Sequence, residues 1–173
     1  VYVVEQGGQE VEITPANEAA ALRMFAGRVV RLEGQRSGSD AFVLSKVLSP
    51  RSTTVAGIAG VSGGRYVLDR SHLEIFPPLP AIKLAGHLSR LAWVARGKRL
   101  VMRGWLFDED KQNPELIVSS VLANAKSARR LWPQGRVNAG DAVEVTYALY
   151  GWARVKADQG GTSGWMPLRN LSM

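Results

Sequence analysis

The 173-residue chain contains no cysteine, which excludes disulfides, thiolate catalysis and cysteine-ligated zinc. Histidine is almost as scarce. Neither His72 nor His87 belongs to a His-x-x-x-His or His-Glu-x-x-His pattern that would place two metal ligands on one face. The sequence therefore predicts no metal site and no cofactor.

Motifs for covalent or phosphate chemistry are also missing. The stretch GVSGG (60–64) resembles a hydrolase nucleophile elbow only superficially, because no helix is expected after it. Asp108, Glu109 and Asp110 are adjacent carboxylates in an expected turn, and such a trio favours a solvated hairpin tip over an acid–base pair. No Gly-x-x-x-x-Gly-Lys motif is present. We predict no catalytic residue, and an enzyme is the least favoured class.

Long apolar runs are lacking as well. None approaches the roughly 20 residues that a membrane-spanning helix requires, so no transmembrane span is predicted in this chain. The chain begins at Val1 rather than at methionine. We interpret this start as the trace of an upstream segment that was removed: a signal peptide, a membrane anchor or an expression boundary. If the removed segment was a signal peptide or a membrane anchor, we expect an exported protein.

Positive charge is in excess, with 22 basic and 15 acidic residues and a net charge of +7. Sixteen of the basic residues are arginine. A balance of this kind favours polyanionic partners such as nucleic acid, anionic lipid or acidic envelope polymers. The arginines are scattered rather than clustered, which favours the simpler interpretation of a solvated basic surface.

Two stretches of the chain, 27–50 and 97–124, share one order of features. Each opens with a glycine-bounded basic motif, GRVVRLEG in the first and GKRLVMRG in the second. A polar turn and a second, aliphatic strand follow in both. The pattern predicts a duplicated β-hairpin, and each hairpin resembles the opening hairpin of an OB-fold.

A short helix is predicted before each hairpin. The segment TPANEAAALRMFA (14–26) begins with an N-cap threonine and a proline suited to the first turn. The segment PAIKLAGHLSRLAWVAR (80–96) carries apolar residues at helical spacing. These are Ile82, Ala85, Leu88, Ala92 and Ala95. A glycine follows each segment and is a natural helix stop.

The proline-rich stretch FPPLP (76–80) is expected to separate two units, because prolines keep the chain extended and interrupt strand pairing. Alternating strands around a Gly63-Gly64 turn complete the first unit. The prediction is a mainly β protein with two short helices and two small β-barrels, one helix-plus-barrel unit over 1–78 and another over 79–173.

The end of the chain carries a further pattern. Gly140-Asp141 precedes the strand Val143-Glu-Val145, Gly151-Trp152 opens the next strand, and Gly164-Trp165-Met166 leads to Leu171. This order resembles bacterial SH3-like (SH3b) domains over about 32 residues. The family's opening Asn-Val-Arg-x-Gly-Pro strand is missing, and SARRLWPQGRVNAG stands in its place. The resemblance implies an SH3-like barrel that is grafted onto the second unit or shared with it.

Four aromatic residues are the candidates for an SH3-like ligand surface: Tyr150, Trp132, Trp152 and Trp165. Trp152 and Trp165 each follow a glycine that lets the chain turn inward, so we expect these two in the core. Tyr150 and Trp132 are the better candidates for exposed contacts.

A polyanion-binding surface is the alternative, and its candidates are basic residues of the two repeats and the following loop. They are Arg28, Arg31, Lys98, Arg99, Arg103, Arg129 and Arg130. Phe42, Trp105 and Phe107 are the aromatics available to stack on bases, although the same spacing also fits a core face.

The leading hypothesis from the sequence is a non-enzymatic binding or scaffold protein of the bacterial periplasm or cell envelope. Its SH3-like barrel would dock a protein segment or a cell-wall polymer. The alternative is an OB-type protein that binds single-stranded nucleic acid in the cytoplasm, for which affinity would fall steeply with salt.

Overall fold

The computed structural model describes residues 2–6, 9–14, 22–71, 73, 77–157 and 161–173. The chain is mainly β and divides into two compact units, 1–51 and 52–173. The boundary predicted between residues 78 and 79 lies inside the second unit. There the proline-rich connector leads from one strand to its antiparallel neighbour, and the Arg70 guanidinium donates two hydrogen bonds to the Pro80 carbonyl at 3.1 and 2.8 Å. Partial burial lowers the pKa of Arg70.

The described part of the first unit is one four-stranded sheet. Its elements are β1 (Tyr2–Gln6), β2 (Gln9–Thr14), a 3-10 turn (Arg23–Phe25), β3 (Arg31–Arg36) and β4 (Ala41–Ser49). The strand order is β1-β2-β4-β3, in which β2 and β4 are parallel and the other pairs antiparallel. Ile13, Leu44 and Phe25 are buried. Residues 15–21 of the first predicted helix lie outside the described residues.

The second unit contains the remaining strands. They are β5 (Arg51–Ser62), β6 (Arg65–Asp69), β7 (Ile82–Ala85), β8 (Arg99–Phe107), β9 (Glu115–Ala125), β10 (Arg129–Arg130), β11 (Arg136–Val137), β12 (Ala142–Leu149), β13 (Trp152–Ala157), β14 (Ser163–Pro167) and β15 (Leu171–Ser172). A 3-10 segment (His87–Arg90) continues into the helix α1 (Leu91–Val94), and a 3-10 turn (Leu168–Asn170) precedes β15. The hairpin predicted around Gly63-Gly64 is confirmed as β5–β6.

Strand β9 is the centre of the second unit because it pairs with four other strands. Along one edge it is antiparallel to β8 and, at its end, to β15. Along the other edge it is parallel to β7 and then antiparallel to β12. The pairings β5–β6–β7–β9–β8–β5 form a continuous ring, while β12, β13 and β14 extend the sheet from the end of β9. One hydrophobic core fills both regions, with Leu116, Val121 and Met166 fully buried.

The second predicted helix is half wrong. Residues 82–85 form strand β7, in which Ile82 and Leu84 are buried in alternation, and only residues 87–94 are helical. Gly86 has φ 90° and ends the strand, so one apolar stripe divides between two element types. Apolar residues spaced three and four apart at a strand–helix junction fit both patterns, and strand pairing with β6 and β9 decides the outcome.

The two predicted hairpins exist as β3–β4 and β8–β9, and their registers match around one glycine in each. Gln35 pairs with Val43 in the first, and Trp105 pairs with Ile117 in the second, each one residue after a glycine at a register shift. At that glycine, the position of a Cβ atom lies inside contact distance of the carbonyl oxygen of Val43 or Ile117 respectively. Each hairpin therefore bends where only glycine lets the two backbones approach.

Candidate functional site

The outer face of the sheet β12–β13–β14 carries the aromatic candidates. Along β13, Ala153 and Val155 point into the core, so Trp152 and Arg154 point outward. The expectation that Trp152 lies in the core is wrong, since 46% of its surface is exposed. The glycine before Trp152 forms a turn and does not direct the side chain inward; the two-residue period of the strand sets its direction. Trp165 is half-buried on the same face.

Strand register arranges this face in two rows. Directly opposed residues of neighbouring strands share a face and lie side by side. The first row consists of Leu149, Trp152 and Pro167, and the second of Tyr147, Arg154 and Trp165. A register shift in β12 brings both Tyr147 and Leu149 to the outside while Ala148 stays buried. The face therefore gathers aromatic and aliphatic groups from three strands.

Residues of the 3-10 segment before α1 contact the second row and stabilise it. The His87 ring stacks on Tyr147 with centroids 4.1 Å apart and an interplanar angle of 14°. Tyr147 in turn meets Trp165 edge to face, at 6.1 Å between centroids. The His87 Nε2–H donates to the Ala148 carbonyl oxygen over 2.6 Å, and Arg90 donates to the same oxygen. These contacts hold the aromatic face in one arrangement.

Trp132 forms a wall beside β14. Its backbone and that of Trp165 exchange two hydrogen bonds, with N–O distances of 3.0 and 2.7 Å. The preceding Leu131 is buried, and its N–H donates to the Gly135 carbonyl at 2.9 Å. The loop is thus anchored by Leu131 and by β14, and the indole of Trp132 remains 69% exposed, as predicted for an exposed contact.

Tyr150 lies at the opposite end of the first row, in a strained turn. Leu149 pairs with Trp152, which leaves Tyr150-Gly151 as a two-residue hairpin loop with φ values of 48° and 77°. A turn with two positive φ angles favours asparagine or glycine at its first position, and a bulky residue there is an outlier. Among the described residues, Tyr150 alone has a positive φ without being glycine. Its side chain is 93% exposed, as predicted, so no burial compensates for the strain.

The aromatic groove is the depression between these groups. It has a volume of about 470 Å³ and is lined by Trp132, Leu149, Tyr150, Trp152 and Trp165. All four aromatic candidates from the sequence therefore meet at one place. Sequence reasoning missed Leu149 and Pro167. The available signal was the two-residue period of the strands, which places both residues on the same face as Trp152 once the turns are taken into account.

Basic side chains border the aromatic groove on two sides. A depression of about 760 Å³ extends from the tryptophans to Arg129 and Arg130, here named the Arg flank. A second, of about 550 Å³, extends from Tyr150 and Trp152 to Lys98, Lys126 and Arg169, here named the Lys flank. Lys126 donates to the Arg169 carbonyl at 3.0 Å, which fixes its position on the Lys flank.

Two other polyanion candidates, Arg28 and Arg31, belong to the first unit. Arg99 and Arg103 line a separate depression of about 420 Å³ that includes Glu144. Arg103 pairs with Glu144 at 3.4 Å, and the Ser120 hydroxyl also donates to that carboxylate. The charge of Arg103 is therefore partly neutralised.

The stacking candidates Phe42, Trp105 and Phe107 are all half-buried on their strands, which leaves no exposed aromatic row like that of the aromatic groove. At the β8–β9 turn, hydrogen bonds from the Asn113 side chain and the Gln112 backbone N–H lower the pKa of Asp110. His72 lies outside the described residues. Across the described ranges, no three His, Asp or Glu side chains converge on a possible metal position.

In the part of the chain that the structure describes, no helix has the length and apolar character needed to traverse a bilayer. Compared with known proteins, the chain matches no family model, no curated protein and no solved structure.

Proposed function

We propose that this chain is a non-enzymatic binding module that docks an extended segment of another protein on the aromatic groove. The observation that carries the proposal is the convergence of three tryptophans and a strained, fully exposed tyrosine on one surface. Aromatic-lined grooves are the surfaces on which SH3 domains bind proline-rich segments in the polyproline II conformation.

The order of elements supports an SH3-like barrel at this end of the second unit. The end of β9, then β12, β13 and β14, a 3-10 turn and β15 follow one another as the five strands and the turn of such barrels do, with the β10–β11 hairpin in the first long loop. The barrel is shared rather than grafted in this proposal, because β9 serves both it and the ring of β5–β9.

We also propose that the ring is OB-like and that the chain contains a duplication. In the ring, a helix lies between the third and fourth strands, and the third and fifth strands are parallel, as in OB-folds. The order β6-β7-β9-β8 repeats β1-β2-β4-β3 of the first unit, including the parallel central pair. Equal register at the two glycine bends supports a common origin for the two units.

A protein segment suits the groove better than a cell-wall polymer. The lining consists of aromatic rings and one leucine, and its side-chain polar atoms are confined to the indole N–H groups and the tyrosine hydroxyl. A polysaccharide brings many hydroxyl groups that require hydrogen-bond partners, whereas a polyproline II segment presents apolar rings with little further ordering entropy to lose. The resemblance to SH3b domains motivates a location in the bacterial cell envelope.

The test is binding of an array of short proline- and leucine-rich peptides to the protein and to two tryptophan variants. For Trp132→Ala, we expect the affinity of bound peptides to fall about thirtyfold, because truncating a central aromatic contact costs about 2 kcal/mol. Trp93→Ala is the matched control: this indole is 57% exposed on α1, outside the groove lining, and its loss should leave binding unchanged.

Equal losses for Trp132→Ala and Trp93→Ala would refute the assignment of the groove. Purified peptidoglycan serves as a competitor in the same assay. Displacement of the peptides by peptidoglycan, with the same dependence on Trp132, would replace the protein segment with a cell-wall ligand as the occupant.

Tyr150 offers a second prediction, in which stability and binding change in opposite directions. Tyr150→Asn relieves the positive φ at the first turn position, so we expect the free energy of unfolding to rise by about 0.5–1 kcal/mol. The same change removes an aromatic wall and should weaken peptide binding about tenfold. Urea titration and peptide titration measure the two quantities. A variant that is less stable than the wild type, or binds equally well, contradicts a functional origin for the strain.

Single-stranded nucleic acid remains the second candidate, favoured by the OB-like ring and by the net charge. In OB-folds, the loop between the fourth and fifth strands is one of the binding loops. Here that loop carries Asp108, Glu109 and Asp110. Carboxylates at that place repel phosphates, so we expect only weak, steeply salt-dependent binding of an oligonucleotide.

A further inference from the structure

The aromatic groove and its two flanks form one continuous surface. Trp152 lines the groove and both flanking depressions. Trp132 and Trp165 connect the groove to the Arg flank, and Tyr150 connects it to the Lys flank. A ligand in the groove therefore lies next to the basic side chains of both flanks.

The charged side chains along this surface are all positive. Five cations belong to the two flanks, and no Asp or Glu is among the described lining residues of the three depressions. Elsewhere in the second unit, basic side chains stand next to carboxylates: Arg65 lies 3.3 Å from Glu115, and Lys111 lies 3.2 Å from Asp108. These two cations of the ring are paired with carboxylates, whereas the described lining of the groove and its flanks offers no Asp or Glu side chain to its cations.

We propose that the occupant of the groove is an extended protein segment with an apolar, proline-containing centre and acidic residues on both sides of it. This inference rests on the proposed function and names the chemistry of its ligand. Complementary charges at the rim of an interface raise the association rate and select the partner. Aspartate or glutamate on both sides of the centre meets the Arg flank and the Lys flank together.

The dimensions fix the length of the centre. The surface crosses β12, β13, β14 and the Trp132 segment, which at about 4.8 Å per spacing amounts to roughly 14 Å. A polyproline II segment rises about 3.1 Å per residue, so about five residues cover the aromatic part.

The experiment uses three labelled peptides with one proline–leucine centre and with glutamate, serine or lysine flanks, together with an oligo-dT strand. We expect the glutamate peptide to bind about tenfold more tightly than the serine peptide at low salt, and the ratio to approach one as salt is raised. In the double variant Arg129→Glu with Arg130→Glu, this preference should shift towards the lysine peptide. The control double variant, Arg65→Glu with Lys111→Glu, changes net charge equally but lies outside the surface and should keep the preference.

Each remaining outcome decides between the claims. Equal binding of the glutamate and serine peptides overturns the acidic flanks and leaves the proposed function standing. Binding of none of the peptides overturns the proposed function itself. Three outcomes would show unspecific attraction of anions and refute the inference. They are a glutamate preference that survives Trp132→Ala, an equal effect of the two double variants, and tighter binding of oligo-dT than of the glutamate peptide.

Discussion

Gly104→Ala is expected to lower the free energy of unfolding of the second unit by about 3 kcal/mol, close to the upper end of the usual overpacking cost. The new methyl group would lie against the carbonyl group of Ile117, across the bend of β8. Backbone atoms on the neighbouring strand do not move aside as a side-chain end does. The register shift between Arg103 and Gly104 would have to move to another position. The pairing of β8 with β9 would then change as well.

Urea unfolding followed by tryptophan emission measures this effect in the second unit alone, because all five tryptophans lie between residues 52 and 173. Gly60→Ala is the matched control. A Cβ there meets its nearest atom, Val67 Cγ2, at 3.8 Å, which is ordinary contact. Alanine is favoured over glycine in a strand by about 0.5 kcal/mol, so this variant should be slightly stabilised. Similar effects of the two substitutions would contradict a bend that requires glycine.

The hairpins were predictable because their signals are local. Glycine at a bend, a polar turn and an alternating strand lie next to one another in the sequence, and the same order occurs twice. The helix over 80–96 was predictable only in its second half. Whether Ile82 and Leu84 form a helical turn or a strand depends on β6 and β9, and the periodicity of the segment does not distinguish the two.

The division of the chain shows the same limit. Prolines at 77, 78 and 80 were expected to end a unit, yet they join β6 to β7 within one. The side chain of Arg70 holds the end of this connector through its hydrogen bonds to the Pro80 carbonyl. A proline-rich stretch indicates extended backbone. Whether a unit ends there depends on whether the strands on either side of it pair with each other.

For the candidate site, the sequence was sufficient to name the aromatics and insufficient to orient them. Tyr150 and Trp132 lie in or beside turns, where exposure is the ordinary outcome. Trp152 was predicted to point into the core because a glycine precedes it. The buried residues of β13 are instead Ala153 and Val155, so the alternating position of Trp152 faces outward. In β13 the small residues face the core, and the large indole of Trp152 is left outside.

Beneath the aromatic groove, the packing is close enough to be tested at one position. Gly164 is buried in β14, and a Cβ on it would lie 2.7 Å from Leu131 Cβ and 2.9 Å from the Trp132 carbonyl oxygen. Gly164→Ala would therefore push the segment of residues 131–134 away from β14. The two hydrogen bonds between the backbones of Trp132 and Trp165 depend on that approach.

We expect Gly164→Ala to cost about 3 kcal/mol of stability and to weaken binding of the proline–leucine peptides about a hundredfold. The loss in binding should exceed that of Trp132→Ala, because the wall moves as a whole and carries the Arg flank with it. Peptide titration at low temperature, corrected for the folded fraction from urea unfolding, separates the two effects. Ser163→Ala, one residue earlier and exposed, should change neither quantity. If Gly164→Ala destabilises the protein and its folded fraction still binds peptide normally, then Trp132 contributes to folding alone, and the binding surface must lie elsewhere on the second unit.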